Sequence, residues 1–500
     1  MQEQFSNRWG IVLASLGMAI GAGNLWRFPR LAGQYGGSFL ILWIVFLLIW
    51  SIPLLMAEFS IGKKYKLGVI GSYGKVAGKG LTWGGFFITL CTLGIAFYYA
   101  VVTGWALQYL GLSAQNLWAF IGEGQTIADQ LAANPAFLDE YWKSIAYSNT
   151  WTIILYIVAV LVGVFILTKG IQNGLEKANK ILIPSLFVLL LIITGMALSM
   201  ENGYKGLEYM FFIDTKHFAD PKIWIEALSQ SAWSTGAGWG LIMTISSYSR
   251  KSEDVVLNTF IGGFGNNTAS LMAGMAILPA VFALASTDQE AINYLQSGNQ
   301  ALTFTIIPKL FATIKGGAIL SFIFFMAFFL AAFSSLLPML ELFISNLRDM
   351  GLTRKSAAIR ATIFCIVLGF PSAYSLDVFE NQDWVWGIGL IVSGLLIIIA
   401  VFRYGIAKFK KDYIDTDSDF SFPTKFFTIA LVFNALLGVV LINWWMSQDY
   451  SPHPWFNEKG QWNLLDVYSN ATIITQWGLV IVTGIIFNGY LYRKFVTNNA

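Results

Sequence analysis

Gly17-Met18-Ala19-Ile20-Gly21-Ala22-Gly23-Asn24-Leu25-Trp26-Arg27-Phe28-Pro29 sets three glycines, an amide and an arginine inside an otherwise apolar run. A helix facing lipid bonds every backbone group to itself, and freed amides and carbonyls are tolerated at membrane depth only where they face protein or line a cavity. The stretch therefore predicts a broken helix whose released carbonyls and amides serve a binding site, the carbonyls for a cation and the amides for a carboxylate.

Composition identifies the surrounding solvent. Of 500 residues, 56% are hydrophobic and 12% charged, and the mean hydropathy is +0.62; soluble domains carry roughly 25% charged residues. The chain is read as an integral membrane protein with the lipid bilayer as its main partner. Its net charge is +3, spread over short loops between apolar runs with no continuous basic patch, which excludes nucleic acid as a partner. Cys91 and Cys365 fall in apolar segments and read as free packing residues. His217 and His453 fall in polar loops, so no histidine pair is available for hydrolase or proton-relay chemistry and no enzyme is expected. The first apolar run starts near Trp9 and leads to Arg27 and Arg30 without a small-residue cleavage site, so no cleavable signal peptide is expected.

Runs long enough to cross roughly 30 Å of hydrocarbon number twelve, near 9–30, 38–61, 82–111, 150–168, 180–199, 223–247, 255–285, 316–347, 356–372, 384–403, 425–446 and 473–492. Short connections in the 60s, 170s, 250s, 350s and 405–424 are basic, whereas the longer 112–149, 200–222, 286–315 and 447–472 segments are poor in Lys and Arg. The positive-inside rule then places both termini in the cytoplasm and the chain in a plasma (inner) membrane.

A second interruption matches the first. Ser234-Thr235-Gly236-Ala237-Gly238-Trp239-Gly240 lies inside the sixth run, and two broken spans five helices apart are the expected mark of inverted repeats with a site where they meet. The glycines could also serve close helix packing alone. The expected architecture is all-α: a single membrane domain over 1–500, with five-helix repeats at 8–199 and 223–403 and two further helices at 425–492.

The run from Gly21 to Pro29, with Tyr98-Tyr99, Gln230 through Gly240, Asn266 and Ser334-Ser335, resembles the neurotransmitter:sodium symporters, over residues 8 to about 403. Within that family it resembles the bacterial leucine transporter and the glycine transporters. The resemblance implies two sodium ions. The first would take the carbonyl of Ala19, Asn24, Ser234, Asn266 and the substrate carboxylate; the second would take Gly17, Ile20, Ala331, Ser334 and Ser335. Hydroxyls such as Ser334 and Ser335 could otherwise satisfy their own helix. Family members that carry monoamines have aspartate at the position of Gly21, so glycine there implies a substrate that brings its own carboxylate. Tyr99 and the amides around Ala22 and Gly23 would hold that carboxylate, while Ile95, Tyr99, Trp233, Gly236, Trp239, Ser335 and Met339 would surround the side chain. The two tryptophans imply a small neutral amino acid, glycine-like or alanine-like, although Gly236 stands where serine is frequent and could return some volume. Ser270 stands where chloride-independent relatives carry glutamate, which implies a chloride ion held by Trp43, Gln230, Ser234, Asn266 and Ser270; Trp43 departs from the usual tyrosine.

Arg27 and Asp383 would close the outer path. Asp349 matches the inner-gate aspartate, but its arginine partner falls at Gln2 and the accompanying tryptophan at Phe5, leaving Arg8 as a substitute. Gly174 and Pro184 resemble an element that unwinds to wet the second sodium. The function implied is sodium-coupled, chloride-dependent symport by alternating access; a membrane sensor that binds an amino acid without moving it, or a symporter of larger hydrophobic amino acids, are the alternatives.

Overall fold

The computed structural model describes residues 3–498 apart from 123, 148, 149, 419, 421 and 449. Among the described residues the elements are helices, with one isolated bridge between Phe456 and Trp462. The long ones are α1 (Arg8–Ala19), α2 (Ala22–Tyr35), α3 (Gly37–Tyr65), α4 (Thr82–Ile121), α5 (Thr150–Thr168), α6 (Ile171–Leu198), α7 (Pro221–Thr235), α8 (Leu241–Ser247), α9 (Val255–Leu284), α10 (Gly317–Asp349), α11 (Arg354–Tyr374), α12 (Leu376–Tyr404), α13 (Thr424–Met446) and α14 (Asn470–Ile486).

Nine helices among the described residues are long and apolar enough to cross a bilayer, or eleven if the bent pairs α1–α2 (54°) and α14 with Asn488–Thr497 (63°) each count as one span. The shortfall against the expected twelve falls at 223–247. There α7 and α8 are separate, because Gly236, Gly238 and Gly240 all adopt positive φ (72°, 90° and 74°), a backbone that costs an L-residue about 1–2 kcal/mol each. The fifth run also starts earlier than expected: a π-helical turn at Ile171–Glu176 adds nine residues before Lys180.

Burial sorts the helices into an inner and an outer set. The span containing α4 buries 83% of its apolar window, whereas α5, α6 and α13 bury 39, 28 and 33%, so the latter set forms the wall a bilayer covers. Phe165, Leu191 and Ile429 point outward there, each more than 60% exposed. At the centre, α4 carries Tyr98 and Tyr99 past the gap between α1 and α2. Both cysteines are buried and free, as expected.

Candidate functional site

The first break is made by a change of direction rather than by strained backbone. Ile20 leaves the helix at φ −84°, ψ 98°, and Gly21 is extended at φ −121°, ψ −172°. Glycine is required at 21 for space: a Cβ would lie 2.6 Å from the Tyr99 hydroxyl and 3.0 Å from Ser335 Oγ. The freed backbone meets side chains from three other places. The Ala22 amide donates to the Tyr99 hydroxyl at 3.0 Å, and the Gly21 amide donates to Asn24 Oδ1 at 2.9 Å. The Ser335 hydroxyl stands 3.0 Å from the Gly17 carbonyl and 3.1 Å from that of Ile20. Ser334 Oγ lies 3.0 Å from the Ala331 carbonyl and 3.4 Å from that of Ile20. All five residues expected around the second sodium thus converge, and both hydroxyls reach across to the broken helix rather than serving α10 alone.

A second oxygen cluster lies on the other side of the break. Asn24 Nδ2 donates to Asn266 Oδ1 at 2.8 Å and to Ser270 Oγ at 2.7 Å. In this orientation Asn266 Oδ1 also stands 3.0 Å from the Ser234 carbonyl and 3.1 Å from the Ala19 carbonyl. Three oxygens at such spacing repel one another unless a cation lies among them or the amide turns over to present its nitrogen. Neutral oxygens of this kind suit a monovalent hard cation.

The residues expected around an anion include unused donors. Among the described residues, neither amide atom of the buried Gln230 has a partner, and the buried Trp43 indole N–H has no acceptor. Ser270 is buried beside Asn24. Trp43 packs on Phe28, one turn beyond Asn24, with ring centroids 4.6 Å apart. An orphaned buried donor is costly, and a bound anion would satisfy it.

A cavity of about 410 Å³ reaches this centre from one side of the protein. Its walls include Ala19, Gly23, Tyr99, Trp233, Gly236, Trp239, Ser335 and Met339 at depth, and Arg27, Glu226, Glu380 and Asp383 toward the mouth. Trp233 and Trp239 meet edge to face at 5.1 Å. Gly236 adds little room, since a Cβ there would lie 3.2 Å from the Met18 methyl. Ile95 and Ala22 are fully buried and are not among the residues lining the cavity.

At the mouth of the cavity Arg27 and Asp383 do not meet. Arg27 gives its guanidinium to Glu226 at 3.2 Å and Ser229 Oγ at 2.8 Å, and no ion pair between Arg27 and Asp383 forms among the described residues. Beside Phe5 and Asp349, at the other end of the protein, charged groups the sequence did not single out come together. Gln2 lies outside the described residues and Arg8 is exposed. Instead Glu3 accepts from Arg354 Nε at 3.0 Å and from Arg348 at 3.1 Å. Arg354 also grips the buried Glu341 with two bonds of 2.9 Å, and Tyr248 donates to the same carboxylate at 2.6 Å. The Phe5 amide donates to the Tyr248 carbonyl at 3.0 Å and the Phe5 ring is buried. Asp349 caps the Gly68 amide at 2.7 Å. The polarity of the expected latch is thus reversed, with the carboxylate on the N-terminal segment and the arginines at the helix ends.

A further residue belongs to the site. Glu58, fully buried in α3, accepts from the amides of Gly238 at 2.6 Å and Gly240 at 2.7 Å. A lone carboxylate inside an apolar run was the available signal.

Comparisons with known proteins place the whole chain beside one family. The family described as "Sodium:neurotransmitter symporter family" matches residues 2–130 and 142–497. An uncharacterized sodium-dependent transporter of Methanocaldococcus jannaschii is 30% identical over 423 residues, covering 82% of this chain and 84% of the relative. The sodium-dependent neutral amino acid transporter B(0)AT2 of Pongo abelii is 29% identical over 292 residues, 54% of this chain and 40% of the relative. The crystal structure of MhsT in complex with L-phenylalanine superposes with a TM-score of 0.75 at 27% identity, covering 89% of this chain and 99% of MhsT.

Proposed function

This chain belongs to the sodium:neurotransmitter symporter family, and on that premise we propose that it moves a small neutral amino acid together with two sodium ions by alternating access. The observation that carries the reading is the pair of oxygen clusters at the first break: Ser334 and Ser335 against the carbonyls of Gly17, Ile20 and Ala331, and Asn266 against Ala19 and Ser234. The substrate carboxylate would enter between the Ala22–Gly23 amides and Tyr99, completing the first sodium's shell. Each charge moved inward gains about 2.3 kcal/mol per 100 mV of membrane potential, so two ions suffice to concentrate substrate strongly.

Twelve spans in two inverted repeats, with both termini in the cytoplasm, accommodate this cycle. The open Arg27 side and the latched Glu3 side correspond to an outward-facing state. A chloride ion near Trp43, Gln230, Ser234, Asn266 and Ser270 would supply negative charge to offset sodium, and the unused donors of Gln230 and Trp43 support it.

Small size rests on Trp233, Trp239 and the Met18 methyl that fills the space beside Gly236. A second reading, transport of larger hydrophobic amino acids, is favoured by the L-phenylalanine bound in the MhsT structure. Thermal shift of the purified protein with single amino acids in sodium chloride, sodium gluconate and choline chloride, followed by uptake into proteoliposomes, separates the readings. Binding that is equal in sodium and choline would sink symport. Binding without uptake would indicate a sensor.

A further inference from the structure

Asn179 is buried in α6, and among the described residues neither its amide oxygen nor its amide nitrogen has a partner. A polar side chain removed from water and given nothing to bond is retained at a cost unless another state uses it. Its position is specific. The amide fills the space left by the missing side chain of Gly17, where a Cβ would stand 2.3 Å from Asn179 Oδ1. The carbonyl of that same Gly17 faces the Ser335 hydroxyl at 3.0 Å. Asn179 and Ser335 therefore flank one residue of the second oxygen cluster.

Three residues earlier on α6, nearly one turn away, the Glu176 carboxylate rests against Gly10 and holds the Ser6 amide at 2.8 Å and Lys180 at 2.6 Å. Glu176 is 1% exposed, while Lys180 beside it is 39% exposed, so the row ends at water. The order from the cluster outward is hydroxyls and carbonyls, then a neutral amide oxygen, then a carboxylate, then solvent. The helix that carries Asn179 is weak on either side of it. Residues Ile171–Glu176 are π-helical, and Pro184 cannot donate to the carbonyl of Lys180.

We propose that Asn179 Oδ1 is a transient ligand for the second sodium ion, taken up as the ion leaves its cluster toward the cytoplasm and passed on toward Glu176. The proposal rests on the sodium-coupled reading above. No covalent step is involved; one oxygen ligand replaces another around a cation whose charge is unchanged.

The test uses the full chain in proteoliposomes with ²²Na⁺ as the probe, driven by an equimolar mixture of neutral L-amino acids, together with equilibrium ²²Na⁺ binding to purified protein. Asn179→Leu should keep equilibrium binding within about twofold of wild type yet slow ²²Na⁺ delivery to the lumen at least about fivefold, because only the exit step loses a ligand. Asn179→Asp should bind ²²Na⁺ at least about fivefold more tightly, since an anionic oxygen holds a cation more strongly than an amide. A side chain that merely packs α6 against α1 would not tighten sodium binding when made acidic. Parallel loss of binding and delivery in Asn179→Leu with no tightening in Asn179→Asp would overturn the proposal, as would two variants indistinguishable from wild type. Should Asn179→Leu not fold, the affinity of Asn179→Asp decides. A wild type that takes up no ²²Na⁺ would instead sink the proposed function.

Discussion

The two breaks free the same kind of backbone and treat it in opposite ways. At Gly236–Gly240 the chain bends through three positive-φ glycines, and the amides of Gly238 and Gly240 are taken by Glu58, a permanent resident of α3. At Ile20–Gly21 no residue has positive φ, and the freed groups meet only hydroxyls and amides, which can surrender them to an ion or a carboxylate. One break is sealed by the protein against itself. The other keeps its backbone groups on neutral, exchangeable partners, although residues of both breaks line the cavity.

The strongest way to break that contrast is at Glu58. Glu58→Gln keeps one acceptor but turns an amide NH₂ toward a backbone N–H, leaving a buried donor unsatisfied at about 1–3 kcal/mol. The melting temperature should fall with and without sodium, and sodium-dependent ligand binding should be lost. Unchanged melting would show that the second break does not depend on its carboxylate.

Ser335→Ala sharpens the contrast from the other side. Its loss should weaken sodium binding about tenfold, roughly 1.4 kcal/mol, and substrate binding should fall with it by linkage. Melting in choline should barely move, because the hydroxyl's backbone partners are the carbonyls of Gly17, Met18 and Ile20 around the break. A large drop in choline would make the first break a structural device too.

Ser270→Glu asks whether that first site needs an outside anion. Uptake by this variant should persist when gluconate replaces chloride, while the wild type should lose most of its uptake. Equal wild-type uptake in both salts would show that the donors of Gln230 and Trp43 serve no anion in transport.

The smallest expected effect is at Trp239, on the sealed break but facing the cavity. Trp239→Phe should shift the ranking of competing amino acids toward bulkier aliphatic side chains by about tenfold or less, as one or two methylenes allow. An unchanged ranking would remove Trp239 from size selection.

Both breaks and the polar residues gathered at them were legible, because glycine, asparagine and serine inside apolar runs are conspicuous against lipid-facing sequence. The fifth span began earlier than hydropathy suggested, since Gln172, Asn173, Glu176 and Lys177 obscure a π-helical turn that tertiary contacts hold. The inner latch was not legible at all. Glu3, Glu341, Arg348 and Arg354 are ordinary charged residues in sequence, and only folding brings the first of them to the other three. Asn179 was hidden for a similar reason: its meaning comes from the missing side chain of Gly17, more than 150 positions away.

The burial of both thiols has a practical side. Cys91 is wholly enclosed, with its sulfur 3.5 Å from the Trp386 carbonyl, and Cys365 is 3% exposed. To a water-borne maleimide the protein is therefore nearly blank without any cysteine being removed. A single reporter thiol placed at Glu380, on the wall of the outer cavity, would label quickly while that cavity is open and slowly once it closes, turning the gate's position into a rate of modification measured on the otherwise native chain.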